Sequence, residues 1–141
     1  MPKTILVALD DSDLSDQVVQ MVLELPLTKD SKVVLSHVVA RTEADQDVVA
    51  DRPHDAQDLS YRQLEKRLQA YQGQFSCVTE LEIALGDPAE EIIRLSNIYQ
   101  ADLIAIGSRG LTGLNRILQG SVSSQVVADA PCSVLVVKPR S

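Results

Sequence analysis

Residues 103–124 of the chain read LIAIGSRGLTGLNRILQGSVSS, and they combine an apolar run, a glycine loop and a helix start. The apolar run predicts a buried strand over 102–107 that Gly107 ends. Gly110 follows, and nine residues later come Gly120 and Ser121, so the spacing is Gly-x2-Gly-x9-Gly-Ser. Ser121 opens a predicted helix over 121–129.

This glycine spacing predicts a cradle for a phosphorylated ligand. Glycines let the main chain approach a ligand without a Cβ clash. The free N–H groups in the first turn of a helix, together with the positive end of its dipole, attract anions. The side-chain donors in this segment are Ser108, Arg109, Ser121, Ser123 and Ser124.

Each glycine also has a purely structural explanation. Gly107 could end a strand, Gly110 could occupy an ordinary turn, and Gly120 could stop a short helix over 114–119. Ser121 could simply cap the next helix. Their combination, after a buried strand and before a serine-rich helix start, favours phosphate binding over these separate explanations.

Composition indicates one globular domain over residues 1–141 and excludes several partners. Apolar residues make up 45% and charged residues 23%, and the net charge is −7. Such a charge repels nucleic acids and anionic membranes, so neither is an expected partner. No secretory signal and no apolar run of about 18 residues is present. Cys77 and Cys132 form neither a disulfide framework nor a zinc site, so we expect a cytoplasmic protein.

Apolar runs alternate with helical patterns along the chain. Strands are predicted at 3–9, 32–39, 76–84, 102–107 and 133–137, and helices from Ser12, over 58–72, from Pro88 and over 121–129. Residues 40–57 are polar and acidic and predict a long surface loop. Asp87 is the expected N-cap of the helix that Pro88 opens. The alternation predicts an α/β domain, a doubly wound five-stranded parallel sheet with helices on both faces.

In such sheets, ligands bind beyond the carboxyl ends of the strands, where the winding reverses. With strand order 3-2-1-4-5, the reversal brings Asp10 and Gly107 into one crevice. Asp10 could accept hydrogen bonds from ribose hydroxyls or a base edge, or hold Mg²⁺ with Asp11. It could equally be a turn or cap acceptor. Val38 and Val39, at the end of the second strand, would offer a base an apolar wall and backbone groups.

The sequence contains no recognisable catalytic set. No Walker lysine accompanies the glycines, no dinucleotide fingerprint follows the first strand, and no Ser/His/Asp or Cys/His arrangement is evident. For phosphoryl transfer, only Asp10, Asp11 and Arg109 are available. This favours ligand binding over fast turnover.

Several segments resemble the universal stress protein family. They are the first strand with Asp10-Asp11-Ser12, HVV at 37–39, GDPAEEI at 86–92, IGSRGLTGLNRILQGSVSSQVV at 106–127 and APCSVLVVKP at 130–139. The similarity covers nearly the whole chain, and the glycine spacing is its most specific part. It implies a Rossmann-like (adenine nucleotide alpha hydrolase-like) fold and, for members that keep the glycines, ATP binding.

The resemblance also implies roles for individual residues. Asp10 would contact the ribose or base, and Val39 would meet the adenine through its backbone. The remaining predicted nucleotide contacts are Ala8, Ile106, Gly107, Arg109, Gly110, Gly120, Ser121, Val122 and Ser123, the last four holding phosphates. Asp11 stands where many members carry glycine, and its extra carboxylate would weaken anion binding unless a metal or solvent intervenes.

Three functions follow from this resemblance. The chain is expected to bind ATP or AMP and to act in stress response or signalling through ligand-dependent contacts with other proteins. The alternatives are a slow Mg²⁺-dependent ATP hydrolase and a scaffold dimer that binds no nucleotide. The resemblance suggests a homodimer, and an apolar edge strand over 133–137 would supply its pairing surface.

Overall fold

Strands and helices alternate along the chain in the computed structural model, which describes residues 3–10, 13–40, 54–108 and 121–139. The elements are β1 (Thr4–Leu9), α1 (Leu14–Leu23), β2 (Lys32–Ala40), α2 (His54–Gln72), β3 (Val78–Gly86), α3 (Pro88–Ile98), β4 (Leu103–Gly107), α4 (Ser121–Asp129) and β5 (Ser133–Val137). The predicted short helix over 114–119 lies outside the described residues.

The five strands form one parallel sheet in the order β3-β2-β1-β4-β5. β1 is central, and its Leu6 pairs with Val34 of β2 on one side and Ile104 of β4 on the other. The chain winds outward from β1 to β3, then crosses back to β4. The predicted doubly wound sheet and its strand order are therefore confirmed.

From Ile5 to Leu9 the side chains of β1 are apolar on both faces of the sheet, and helices cover both faces. Ile5 and Val7 belong to the cluster that packs against α1 and α2, whereas Leu6 belongs to the cluster against α3 and α4. All three side chains are completely inaccessible to solvent. The buried residues of both clusters are aliphatic.

Some predicted boundaries are wrong. Both ends of the loop expected at 40–57 belong to regular elements, because β2 continues to Ala40 and α2 already begins at His54, and the rest of that prediction lies outside the described residues. β3 covers 78–86 rather than 76–84, because it pairs with the full length of β2, from Lys32 opposite Val78 to Ala40 opposite Gly86. The first helix begins at Leu14, two residues after the predicted start.

Asp87 fixes the start of α3 as its sequence predicts. Its carboxylate accepts a hydrogen bond from the Glu90 backbone N–H at 3.0 Å, and Pro88 occupies the first turn. Proline suits this position because the N–H it lacks would have no partner within the helix. The cap therefore places the amino end of α3 at the carboxyl edge of the sheet, immediately after β3.

The opposite end of α3 closes around Gln100, a non-glycine residue with a left-handed backbone (φ 54°). The Gln100 N–H donates to the Asn97 carbonyl at 3.3 Å, and the Ala101 N–H donates to the Ser96 carbonyl at 2.9 Å. These two bonds form the pattern that usually carries glycine at the left-handed position.

Asp102 joins the amino ends of β4 and β1. Its Oδ2 accepts hydrogen bonds from the Lys3 and Thr4 backbone N–H groups, each at 3.0 Å. The bonds from Thr4 and then Lys3 lower the pKa of the Asp102 carboxyl. This carboxylate thus stabilises the start of the central strand.

Candidate functional site

A crevice opens at the carboxyl edge of the sheet, where β1 and β4 diverge to opposite helical layers. It contains about 500 Å³ of empty space, part of it open solvent. Its lining comprises Ala8, Leu9, Asp10, Leu14, Ser15, Val18, Ser36, Val38, Pro88, Ile92, Ile106, Gly107 and Val122. The crevice lies at the reversal of winding that the sequence predicts.

Five residues from the predicted nucleotide site line this crevice: Ala8, Asp10, Ile106, Gly107 and Val122. They come from β1, β4 and the first turn of α4, which are widely separated in the sequence. The fold thus brings these five predicted residues together. Their role as nucleotide contacts stays a prediction.

Val38 rather than Val39 faces the crevice. Val38 packs with the α3 and α4 cluster, and successive strand residues point to opposite faces. A contact from Val39 would therefore have to come from its backbone, which is the contact that the resemblance implies.

The remaining residues predicted to contact the nucleotide are described only in part. Ser123 is buried but does not line the crevice, and Ser124 is exposed. Asp11, Arg109, Gly110 and Gly120 lie outside the described residues, as does the side chain of Ser121. Of the predicted phosphate cradle, the structure therefore describes only two segments, the end of β4 and the start of α4.

Ser108 follows directly on β4 and anchors its end to β5. Its backbone N–H donates to the Val137 carbonyl at 2.9 Å. Its hydroxyl oxygen is buried and has no hydrogen-bond partner among the described residues. The hydroxyl thus stays a candidate donor, as the sequence predicts.

Ser15, on the first turn of α1, contacts Asp10 three times. The Asp10 N–H donates to Ser15 Oγ at 2.9 Å, and the hydroxyl lies 2.9 Å from the Asp10 carbonyl oxygen and 3.2 Å from Oδ1. Ser15 is 2% exposed and lines the crevice. Ser15 is not among the site residues that the sequence predicts, although a serine in the first turn after a strand-ending aspartate is a usable signal.

A second element, α2, also reaches the corner between β1 and α1. Arg67 Nη2 lies 3.4 Å from the Asp10 carbonyl oxygen, and the Tyr71 hydroxyl donates to Asp16. Burial, followed by the hydrogen bond to Asp16, raises the pKa of Tyr71. Arg67 is also not among the predicted site residues, because the helical periodicity of α2 does not indicate where the ends of its polar side chains lie.

Three helices begin at the crevice. Leu14 and Ser15 of α1, Pro88 of α3 and Val122 of α4 all belong to first turns, and all line the crevice. Helix amino ends carry partial positive charge and N–H groups without partners in the helix. Such ends can hold an anion; at α3 the Glu90 N–H already donates to the Asp87 carboxylate, and the whole chain has a net charge of −7.

Packing against Leu14 favours glycine at position 107. A Cβ at this position would lie 2.7 Å from Leu14 Cδ2 and 3.0 Å from Leu14 Cγ. Leu14 is itself 4% exposed and belongs to the core. The structural explanation of this glycine therefore has direct support, and it is compatible with a role in binding.

Other candidate sites in the described residues are weak. Within those ranges, no group of three or more His, Cys, Asp or Glu side chains could hold a metal, and none of the helices is long and apolar enough to cross a membrane. His37 is buried in β2. Cys77 and Cys132 are free and half-buried, and burial raises the pKa of both thiols, which lowers their reactivity.

The described elements define a doubly wound α/β protein whose sheet has a crevice at its switch point. The universal stress protein family model matches residues 1–138, and the chain belongs to this family.

The alignments with individual relatives cover almost the full chain. Universal stress protein Sll1388 of Synechocystis sp. is 30% identical, with 95% of this chain and 96% of that protein covered. Among solved structures, hypothetical protein MJ0577 superposes with a TM-score of 0.83 at 26% identity, covering 98% of this chain and 96% of the other. An Arabidopsis thaliana family member with AMP bound has a TM-score of 0.69 at 24% identity, covering 99% and 94%, and shares the fold.

Proposed function

We propose that this chain binds an adenine nucleotide, ATP or AMP, in the crevice and acts in stress response or signalling through ligand-dependent contacts with other proteins. The observation that carries the proposal is the meeting of Asp10, Gly107 and Val122 in one crevice. The AMP in the Arabidopsis protein of the same fold supports an adenine nucleotide as the ligand class.

The chemistry of the lining suggests how the ligand is oriented. We propose that backbone N–H groups at Gly107 and in the first turn of α4, which begins at Ser121, bind the phosphates together with Arg109, Gly110 and Gly120, as the resemblance implies. Asp10 is an acceptor suited to ribose hydroxyls. Apolar side chains such as Val38 and Ile92 offer a surface for the base. In this orientation the phosphates lie beside the converging helix ends.

The first test is isothermal titration calorimetry with ATP, AMP and cyclic AMP. We expect Asp10→Ala to weaken nucleotide binding about tenfold, the value of a hydrogen bond to a charged group. Asp30→Ala is the matched control, because Asp30 is exposed and precedes β2 at the opposite edge of the sheet. Equal affinities of the two variants would contradict the assignment of Asp10.

A second variant tests the phosphate end. Gly120→Val should block the predicted cradle, since a branched side chain would occupy the space that the glycine leaves for the ligand. Circular dichroism establishes that the variant is folded. Undiminished nucleotide affinity in a folded Gly120→Val protein would place the phosphates elsewhere.

We further propose binding rather than rapid hydrolysis. Fast phosphoryl transfer needs a metal and several positioned charges, and among the described lining residues Asp10 is the sole ionisable side chain. Release of phosphate from ATP with Mg²⁺ measures this directly. A substantial rate that falls in Asp10→Ala would replace the binding function with that of a hydrolase, with Mg²⁺ near Asp10 or Asp11.

We propose that the chain forms a homodimer in the cytoplasm. β5 is an edge strand with half-buried Val134, Leu135 and Val136, and edges of this kind pair with other strands. The free cysteines suit a reducing compartment. Analytical ultracentrifugation should give a mass of two chains, and a monomer at micromolar concentration would exclude the dimer.

A further inference from the structure

The aspartate at the end of β1 is held in place by a buried serine from the next element. We propose that Ser15 positions the Asp10 carboxylate for the ribose, so that Ser15 sets the preference of the site for ribose over deoxyribose. This inference rests on the proposed nucleotide binding and names a selectivity that the binding alone does not require.

The contacts of Ser15 restrain Asp10 at its backbone and its side chain together. The hydroxyl accepts the Asp10 N–H at 2.9 Å and shares its one proton between the carbonyl oxygen at 2.9 Å and Oδ1 at 3.2 Å. A hydroxyl has one donor and two acceptor positions, so these contacts use its donor completely. Ser15 is 2% exposed, which leaves little space for a competing water.

Helix α2 also contacts the backbone at Asp10. Arg67 Nη2 lies 3.4 Å from the carbonyl oxygen that also faces the Ser15 hydroxyl. The contact is longer and therefore weaker than those of Ser15. Two elements distant in sequence thus fix one peptide group at the floor of the crevice, and Arg67 is a second, weaker positioning residue.

A fixed carboxylate discriminates between sugars because it can only accept hydrogen bonds. Oδ1 faces the Ser15 hydroxyl, and Asp10 lines the crevice in which a bound sugar would meet it. A ribose hydroxyl supplies the donor, and a deoxyribose lacks it. We expect the intact protein to prefer ATP over 2′-deoxy-ATP or 3′-deoxy-ATP about tenfold or more, as for a hydrogen bond to a charged group.

The test compares these three nucleotides by calorimetry on the full chain. Ser15→Ala should weaken ATP binding about tenfold and change the binding of the discriminated deoxy analogue less than about twofold, because that analogue never used the hydrogen bond. A role confined to stability would weaken all three equally. Ser96→Ala is the matched control, because Ser96 is also buried in a helix, where its hydroxyl donates to the Ile93 carbonyl.

Arg67→Ala is a second test of how Asp10 is positioned, at a residue that is only part-buried. It should reduce the preference for ribose in the same direction by a smaller factor, and Arg67→Lys controls for the lost positive charge. Hydrogen exchange of the Asp10 amide, without nucleotide, should accelerate in Ser15→Ala, since this N–H loses its acceptor.

The outcomes separate the two proposals. A wild-type chain that binds ATP without preference over either deoxy analogue overturns the role of Ser15 and leaves nucleotide binding intact. A folded Ser15→Ala protein that keeps the wild-type preference also overturns it. A wild-type chain that binds no nucleotide overturns the proposed function and this selectivity together.

Discussion

Replacing Gly107 with alanine should destabilise the protein through a single identifiable contact. The added Cβ would lie 2.7 Å from Leu14 Cδ2 and 3.0 Å from Leu14 Cγ, against 3.6 Å from Val18 Cγ2. Carbon atoms pack at about 3.5–4.0 Å. The Leu14 side chain must therefore move by several tenths of an ångström or more, in a core where it is 4% exposed.

The size of the effect follows from the cost of overpacking. Forcing an extra methyl group into a packed core typically costs about 1–3 kcal/mol. For a chain of this length, each kcal/mol lowers the melting temperature by about 3 °C. We therefore expect Gly107→Ala to lower the free energy of unfolding by about 1–3 kcal/mol in urea titrations followed by circular dichroism.

A double-mutant cycle with Leu14→Ala identifies the cause. That substitution alone should cost about 2–5 kcal/mol, as buried leucines usually do. It removes both of the atoms that the new Cβ approaches most closely. The double variant should therefore be more stable than the sum of the single effects predicts, by about 1–3 kcal/mol.

Two results would refute this reasoning. One is a Gly107→Ala protein as stable as the wild type, and the other is strict additivity in the cycle. Gly73→Ala is the matched control, because its Cβ would meet only backbone atoms at 3.6 and 3.8 Å. We expect that control to be neutral or to stabilise by about 0.4–1 kcal/mol through the unfolded chain.

Asp87→Ala should cost about 1 kcal/mol in thermal or urea unfolding, since the Glu90 N–H loses its acceptor, and Asp87→Asn should recover most of it. Gln100→Gly should be about 1 kcal/mol more stable than Gln100→Ala, because glycine adopts φ 54° without Cβ strain, and equal stabilities would contradict the left-handed backbone. The pKa of Asp102 is lowered mainly by the Thr4 N–H, so its stabilising contribution is complete above the ordinary carboxyl pKa of about 3.9 and is lost as the pH falls through the lower folded-state value. Urea unfolding at pH 6 and pH 3 should show a smaller loss in Asp102→Asn than in the wild type.

The sheet order could be predicted because each strand carries its own signal. The side chains of β1 are apolar on both faces, which is typical of a central strand in a parallel sheet. Right-handed crossover connections then leave few possible strand orders. The Asp87 cap could be predicted for the same reason, since the carboxylate and the N–H that it binds are three residues apart. The predicted start of α2 at residue 58 is four residues too late, because residues 54–57 have no apolar periodicity that indicates a helix.

The site was less predictable because it depends on contacts between distant residues. Nothing in the sequence places Arg67 beside the Asp10 carbonyl, 57 positions away. Whether Val38 or Val39 faces the crevice depends on which face of the sheet each residue of β2 points to. Because both residues are apolar, the sequence does not show which of them points to that face. Gly107 has a steric reason that only the position of Leu14 reveals.

The convergence of three helix amino ends has a kinetic consequence. Partial charges at helix termini act over roughly one turn, whereas a net charge of −7 acts at longer range. An approaching polyphosphate would therefore meet repulsion first and attraction only on arrival. Added salt screens the outer field within about 8 Å at physiological ionic strength, so capture of a multiply charged anion should quicken as salt is raised, the reverse of electrostatic steering.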